Sequence, residues 1–209
     1  MNVDKCKICR RTGKKLFLKG ARCYTPKCAM VKRPFPPGPA PKRMTRKTDY
    51  GREFMEKQKI KAWYNLRENQ FKNYVMKVLN NVSNLKVKTE DALIRLLECR
   101  LDIVVLKAGF ATSVRQAKIV VGHGHMTVNG KKVDIPSYQV RLKDVIAVSA
   151  TAQKRTYFQK LKPELKKHKP ASWIKLDADN VSAELISYPT AEEVALPVQM
   201  SSIFEHYSK

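Results

Sequence analysis

The chain has 209 residues and a formal net charge of +24, from 42 Lys and Arg against 18 Asp and Glu. Its length suffices for two modest domains, and a hydrophobic content of 43% is enough to build a core. Charge of one sign on this scale opposes compaction, so it indicates a polyanionic partner rather than simple solubility. No run of about 18 apolar residues occurs, which excludes a membrane-spanning helix and predicts no membrane partner.

The charge is unevenly distributed along the chain. Residues 1–92 carry 24 basic and 7 acidic side chains, whereas residues 93–170 carry 16 and 5. Residues 171–209 reverse the sign, with 2 basic and 6 acidic side chains. We therefore expect the first two segments to contact phosphate and the acidic tail, 171–209, to pack against protein.

Residues 1–33 form a head with four cysteines, at Cys6, Cys9, Cys23 and Cys28. The first residues, MNVDKCKICRR, contain no apolar stretch of the kind that a secretory signal needs, so we expect a cytoplasmic chain with reduced thiols. Two pairs of thiols at these separations can close on one tetrahedral ion, and zinc is favoured over a [4Fe–4S] cluster. The fifth cysteine, Cys99, lies among leucines and is predicted to be a small buried side chain.

Five prolines follow the head between Pro34 and Pro41. Because proline fixes φ and has no amide donor, residues 34–51 are predicted to be an extended basic arm. Its cations are predicted to follow a phosphate backbone, and they are Lys42, Arg43, Arg46 and Lys47.

Residues 52–92 have a helical pattern. Apolar side chains recur near one face from Arg52 to Asn80, which predicts one amphipathic helix. Most lysines of this segment fall on other faces, and Lys57 and Lys61 are predicted to contact nucleic acid.

Residues 93–170 predict a mixed module of helices and strands. A helix begins near Thr89 and ends at Gly109, and a short third helix is capped by Thr112 or Ser113. The residues MTVNGKKV predict a β-hairpin, because Asn129-Gly130 can adopt the positive φ values of a two-residue turn. Further strands are predicted at 139–140 with 145–148, and around 181–186. The basic stretch 154–169 is predicted to be interrupted by Pro163.

The module resembles the RNA-binding domain named after ribosomal protein S-four. The motifs that carry this resemblance are Arg100-Leu101-Asp102, Gly109, Ala117, His123-Gly124-His125, Val128-Asn129-Gly130 and Pro136-Ser137-Tyr138. The flanking residues resemble the S-four family of small-subunit ribosomal proteins over nearly the whole chain. The features that carry this wider resemblance are the cysteine spacing, R-P-x-P-P-G at 33–38, D-Y-G at 49–51, E-K-Q-K at 56–59, N-Q-F-K-N-Y at 69–74 and the ending FEHYSK.

This resemblance implies an α+β fold, in which a helical domain carries the zinc head and arm and the mixed module is inserted before a tail that returns to the helical part. It implies a cytoplasmic, structural role in the small ribosomal subunit. The protein would bind the 5′ domain of the rRNA, nucleate assembly and help to form the mRNA entry channel. Ribosomal proteins S-three and S-five would be its neighbours, and the contact with S-five would influence decoding accuracy.

Within the module, we expect RNA contacts from the short helix, the turn after it and the tip of the hairpin. These candidate residues are Arg115, Lys118, His123, His125, Asn129, Lys131 and Lys132. The chain departs from the family at Pro39-Ala40-Pro41, where Q-H-G is common, and at Val114, where Arg commonly follows Ser.

An enzyme is not expected, nor is a small-molecule substrate. Enzymes with this module add a catalytic domain larger than the residues that remain here. A phosphate-binding G-x4-G-K-[S/T] loop is absent, because position 125 is His and position 132 is Lys. The alternative that stays open is a free zinc-dependent RNA-binding regulator, which the charge and the cysteines fit equally well.

Overall fold

A computed structural model describes residues 4–39, 48–81, 87–194 and 196–208. These residues fall into two compact units. The first unit contains the chain up to Glu90 together with the C-terminal segment, and the second unit is Asp91–Val194. The first is helical in its described residues and the second combines helices with a sheet, which confirms the α+β class. None of the helices described is long and apolar enough to cross a membrane.

In its described residues, the first unit consists of short elements in the head and three longer helices. The head contains α1 (Lys5–Thr12), a 3-10 turn (Gly20–Tyr24) and α2 (Ala29–Lys32). The longer helices are α3 (Asp49–Trp63), α4 (Glu68–Leu79) and α10 (Met200–Ser208). The core forms where α10 packs on α3 and α4, and its buried side chains are Ile60, Tyr64, Leu66, Phe71, Val75, Val78, Met200 and Ile203.

Two helices replace the single helix predicted for Arg52–Asn80. Asn65 has a φ of +50° and ends α3 in a Schellman motif. The amide of Leu66 donates to the carbonyl of Lys61 at 2.9 Å, and that of Asn65 donates to Ala62 at 3.1 Å. Leu66 is then buried, so the chain turns back to place α4 against α3.

The carboxylate of Glu68 connects α4 to both other long helices. It accepts hydrogen bonds from Lys57 at 2.9 Å and Lys61 at 2.8 Å on α3. The hydroxyl of Tyr207, on α10, donates to it at 3.1 Å. Partial burial acts to raise the pKa of Glu68, but the bonds from Lys61 and Lys57 outweigh it and lower the pKa to about 2. Burial and the Glu68 carboxylate raise the pKa of Tyr207.

The second unit contains five helices and five strands. Its helices are α5 (Thr89–Glu98), which begins at the end of the first unit, α6 (Leu101–Lys107), α7 (Val114–Gly122), α8 (Ala150–Gln153) and α9 (Thr156–Leu165). Its strands are β1 (Met126–Val128), β2 (Lys131–Val133), β3 (Val145–Val148), β4 (Ile174–Asp177) and β5 (Ser182–Leu185). They form one antiparallel sheet in the order β2-β1-β3-β5-β4.

The sheet confirms the hairpin and the strands at 145–148 and within 181–186. In the hairpin, Val128 pairs with Lys131 across Asn129-Gly130, and both turn residues have positive φ. Residues 139–140 form only an isolated bridge, between Gln139 and Arg100, instead of the predicted strand. Pro163 lies inside α9 rather than interrupting it.

A buried ion pair separates α5 from α6, where one helix was predicted. Arg100 donates to Asp102 through Nε at 3.1 Å and through a terminal nitrogen at 2.8 Å. The two side chains are 1% and 0% exposed. The backbone here leaves the helix and binds the P-S-Y segment, since the amide of Leu101 donates to Tyr138 at 2.9 Å and that of Asp102 donates to Pro136 at 3.1 Å. The R-L-D and P-S-Y motifs of the sequence are therefore joined by backbone hydrogen bonds.

The C-terminal tail is divided between the units. Residues 174–185 supply β4 and β5, which extend the sheet of the second unit, whereas α10 packs in the first unit. The boundaries expected at 93, 170 and 171 therefore differ from the structural division near residues 91 and 194. The acidic composition of the tail did not reveal that β5 continues the sheet beyond β3.

Breaking the buried pair is expected to destabilise the second unit. Asp102→Asn removes the negative charge and leaves the Arg100 guanidinium buried, which should lower the free energy of unfolding by about 3–5 kcal/mol. The measurement is urea unfolding followed by Trp173 fluorescence in a Trp63→Phe background. Asp179→Asn is the control, because its pair with Lys166 is exposed and should change stability by less than about 1 kcal/mol. Equal losses in the two variants would contradict this prediction.

Acid should weaken the first unit through Glu68. Its folded pKa is about 2 and the ordinary value is 4.5, so the carboxylate stabilises the fold fully above about pH 4.5 and the contribution disappears as pH falls towards 2. The urea midpoint, followed by Trp63 in a Trp173→Phe background, should fall between about pH 6 and pH 3. The fall should be smaller in Glu68→Gln and unchanged in the exposed control Glu205→Gln. An identical fall in all three proteins would exclude Glu68 as the source.

Candidate nucleic-acid interface and metal centre

The four cysteines of the head line one cavity. Cys6 and Cys9 lie on α1, which Asp4 caps by accepting from the amide of Cys6 at 3.1 Å. Cys23 lies on the 3-10 turn, and Cys28 is the N-cap residue of α2. Cys9, Cys23 and Cys28 are each 7% exposed. Three short elements therefore carry four thiols to the same place.

The surroundings of these thiols affect their ionisation. Burial raises the pKa of the Cys9 thiol, a hydrogen bond from the backbone of Leu16 lowers it, and the three other thiols raise it further. The amide of Lys19 donates to Sγ of Cys23 at 3.4 Å. As the side chains stand in the described ranges, no three His, Cys, Asp or Glu residues are close enough to hold a metal ion. The four cysteines nevertheless share one cavity, and sulfur is a ligand that zinc prefers.

The cations predicted for the first unit have different surroundings. Lys42, Arg43, Arg46 and Lys47 lie outside the described residues. Lys57 is buried at 7% exposure, where it pairs with Glu68 and lies over the rings of Phe54 and Tyr207 at 4.9 and 5.4 Å. Lys61 is also paired with Glu68. The ammonium group of Lys57 is thus engaged within the helix packing, and its RNA contact stays an untested prediction.

The short helix α7 carries the first of the predicted RNA-binding residues of the second unit. Ser113 caps it by accepting from the amide of Gln116 at 3.3 Å, which decides between the two predicted caps. Arg115 is exposed. Lys118 is only 21% exposed, and its Nζ lies 3.7 Å from the buried carboxylate of Asp102. The helix thus directs Arg115 outward and Lys118 partly towards the core.

The hairpin directs its lysines outward. Lys131 and Lys132 are exposed, and neither forms an ion pair with a described residue. Asn129 has a structural role, because its amide group donates to Asp144 at 2.8 Å and accepts from the amide of Val145 at 2.9 Å. These bonds tie the hairpin to β3, and an RNA contact by the exposed Asn129 stays a prediction.

The turn between α7 and β1 brings basic groups of three elements together around Gly124. Gly124 has a φ of +66°, and a Cβ placed on it would lie 2.1 Å from Cε of Lys132. The side chain of Lys132 therefore crosses the backbone of this turn. His123 is exposed, and its ring meets that of His125 edge to face at 5.7 Å.

His125 differs from His123 in its contacts. Its Nε2 lies 3.2 Å from a terminal nitrogen of Arg155, which is the N-cap residue of α9. Burial lowers the pKa of His125, and the nearby charges of Arg155, His123 and Lys132 lower it further. Arg155 was not among the predicted site residues. Its position in the basic stretch 154–169 was the signal, but the sequence alone did not place it beside the turn.

Exposed cations thus lie on α7, on the hairpin and at the start of α9 within one unit. Among the described residues, Arg115, Lys131, Lys132 and Arg155 form no ion pair with a carboxylate. Such a surface can neutralise several phosphates of a folded nucleic acid, which structured RNA presents more readily than its base edges.

Comparisons with known proteins show which family the chain is similar to. Residues 2–98 match the family model described as Ribosomal protein S4/S9 N-terminal domain, and residues 99–146 match the S4 domain. The chain is 43% identical over 205 residues to small ribosomal subunit protein uS4 of Thermus thermophilus, and the match covers 98% of this chain and 96% of the relative. The same identity and coverage apply to the uS4 protein of Thermotoga maritima, and the uS4 protein of Caldicellulosiruptor bescii is 41% identical over 204 residues.

A methyl group on Gly124 is expected to disturb the turn. Gly124→Ala would strain the positive φ and push Lys132 aside, so we expect a loss of about 1–2 kcal/mol in the free energy of unfolding. Gly122→Ala is the matched control two residues earlier, because nothing lies within 4 Å of its Cβ and its φ is ordinary. The control should be neutral or slightly stabilising in α7. Equal stability of the two variants in urea unfolding would contradict the crossing of Lys132 over Gly124.

Proposed function

Because the chain belongs to the uS4 family of small ribosomal subunit proteins, we propose that it is a structural constituent of that subunit and binds its rRNA directly. It is not an enzyme, as its relatives are structural proteins, and it is located with the ribosomal subunit in the cytoplasm. The observation that carries this proposal is the 43% identity to uS4 proteins across 98% of the chain, which includes both compact units.

The mechanism of binding follows from charge and shape. Each phosphate that Lys or Arg neutralises releases counterions, so affinity should fall steeply as salt rises. Charge alone does not select one RNA, and selectivity requires that several cations match the course of one folded backbone. The hairpin, held to β3 by Asn129, and α7, capped by Ser113, provide such fixed positions in the second unit.

The finer assignments extend the same proposal. The RNA bound is the 5′ domain of the small-subunit rRNA, where the protein nucleates assembly. In the finished subunit it contributes to the mRNA entry channel beside S-three and S-five, and its contact with S-five helps to maintain accuracy. Family membership supports these assignments.

The head is proposed to bind one zinc ion through Cys6, Cys9, Cys23 and Cys28. Four thiolates would satisfy a closed tetrahedral site, and the ion would supply structure rather than catalysis. The head has few buried apolar side chains, with Leu16 the main one at 3% exposure, so a metal would supply the stability that so small a core lacks. The amide of Lys19 beside Cys23 would stabilise a thiolate.

The test of the rRNA proposal is a comparison of two RNAs. The purified, metal-replete protein is titrated with the 5′ domain of small-subunit rRNA and with an unrelated folded RNA of equal length, over a range of salt. We expect a preference for the 5′ domain that persists near physiological salt. Equal and steeply salt-sensitive binding to both RNAs would show only the non-specific binding of a polycation and would overturn the proposal.

The zinc proposal predicts a metal content that depends on the cysteines. Cys23→Ser should lose the bound zinc measured by elemental analysis and should loosen the head, seen as faster proteolysis of residues 4–39. Cys99→Ser is the control, because Cys99 is buried in the second unit and burial raises its pKa to about 11, which makes it a poor metal ligand. One zinc per chain in both variants, or none in the parent protein, would contradict the proposal, and iron in the parent would indicate a cluster instead.

A further inference from the structure

We infer that Arg155 binds a backbone phosphate of the RNA, that His125 positions Arg155 for this contact, and that Lys132 and His123 complete the site over Gly124. This inference rests on the proposed function and specifies one contact within it. These five residues are called the Gly124 site below. Neither Arg155 nor a positioning role for His125 was expected from the sequence.

The contact between His125 and Arg155 fixes the state of the histidine. A guanidinium has only donors, so the Nε2 atom 3.2 Å from Arg155 must accept. His125 is then neutral, with its proton on Nδ1. Burial lowers the pKa of His125, as do the charges of Arg155, His123 and Lys132, which agrees with the neutral ring. Because Nε2 accepts from Arg155, it cannot donate a hydrogen bond to phosphate, and the ring acts by positioning Arg155.

Packing holds the His125 ring in this orientation. The ring lies edge to face with Phe158, with centroids 6.0 Å apart, and Phe158 is 2% exposed in the core. The carbonyl of His125 accepts from the amide of Ser149 at 2.9 Å. A histidine fixed at both backbone and ring can restrict the rotamers of a long arginine, which lowers the entropy lost when the arginine binds a ligand.

The charges of the site have no counter-ion in the described parts of the chain. Lys132 crosses Gly124, and its charge acts on His125 together with those of Arg155 and His123. None of the ion pairs between described residues includes Lys132 or Arg155. Cations brought together in this way repel each other, and an anion between them would remove that cost.

A phosphate fits the donors better than a single-point anion. Its non-bridging oxygens can accept from a planar guanidinium and from an ammonium group at the same time. The donors come from the turn, β2 and the start of α9, so they surround one position rather than follow a line. We therefore assign one phosphate to the site, and we assign it to RNA because the site brings exposed cations of different elements together without a carboxylate partner among the described residues.

The first experiment measures the contribution of Arg155. In binding of the full chain to the 5′ domain of rRNA, Arg155→Ala should weaken affinity about tenfold and reduce the slope of log K against log salt by about one. Lys175→Ala is the matched control, since it also removes one exposed cation but lies on β4, at the opposite edge of the sheet from β2. It should retain the parent affinity within about twofold. Equal effects of the two variants would overturn the inference.

The second experiment tests positioning by His125. His125→Gln keeps an acceptor for Arg155 and should bind RNA as the parent does, whereas His125→Leu should lose most of what Arg155→Ala loses. When Arg155 is already Ala, His125→Leu should have no further effect on affinity. Urea unfolding of each variant provides the comparison of stability. A loss from His125→Leu that is the same with and without Arg155 would overturn the positioning role.

The outcomes separate this inference from the proposed function. If the parent protein shows no preference for the 5′ domain, the proposed function fails and the inference fails with it. If the parent shows the preference and Arg155→Ala retains both the affinity and the salt slope, the inference alone is overturned. Loss of affinity and slope in Arg155→Ala, with Lys175→Ala unchanged, supports both.

Discussion

The buried pair between Arg100 and Asp102 is the interaction on which the second unit depends. Two charges without solvent are tolerated only when each satisfies the other, and the bidentate geometry achieves this. To make the pair, the chain must leave the helix between α5 and α6, and its freed amides then bind residues 136–140. Asp102 also attracts Lys118 from α7, which helps to fix the rotation of that helix and leaves Arg115 exposed. The buried carboxylate thus draws Lys118 inward on the same helix that leaves Arg115 exposed.

Local chemistry was predictable from the sequence where a few neighbouring residues decide the structure. Asn129-Gly130 specified the hairpin because few residue pairs accept two positive φ values, and Ser113 could cap α7 because its hydroxyl reaches an amide three residues on. The family motifs identified the module and the function for the same reason, as each is short and contiguous. The pairing of R-L-D with P-S-Y was not predicted, although both motifs were noted, because a contact across more than thirty residues leaves no periodicity.

Contacts between distant elements explain where the structure differs from the sequence predictions. The helical position of Lys57 off the apolar face predicts an exposed cation, but Glu68 and Tyr207 make that face part of the core. The division of the tail depended on β5 pairing with β3, which an acidic composition does not indicate. Arg155 stood in a stretch read only as basic, and its importance comes from a histidine thirty residues earlier. In each case a charge acquired its role from a partner far away in the chain.

The discontinuity of the first unit has a consequence for synthesis of the protein. Its core needs Met200 and Ile203 from α10, whereas α3 and α4 emerge from the translating ribosome more than a hundred residues earlier. The second unit is contiguous, from Asp91 to Val194, and can fold as soon as its last strand has emerged. The order of folding during translation is therefore inverted relative to the order of synthesis. The nascent α3 and α4, rich in cations and with their apolar face still uncovered, must wait for the last helix or be protected by another molecule until it arrives.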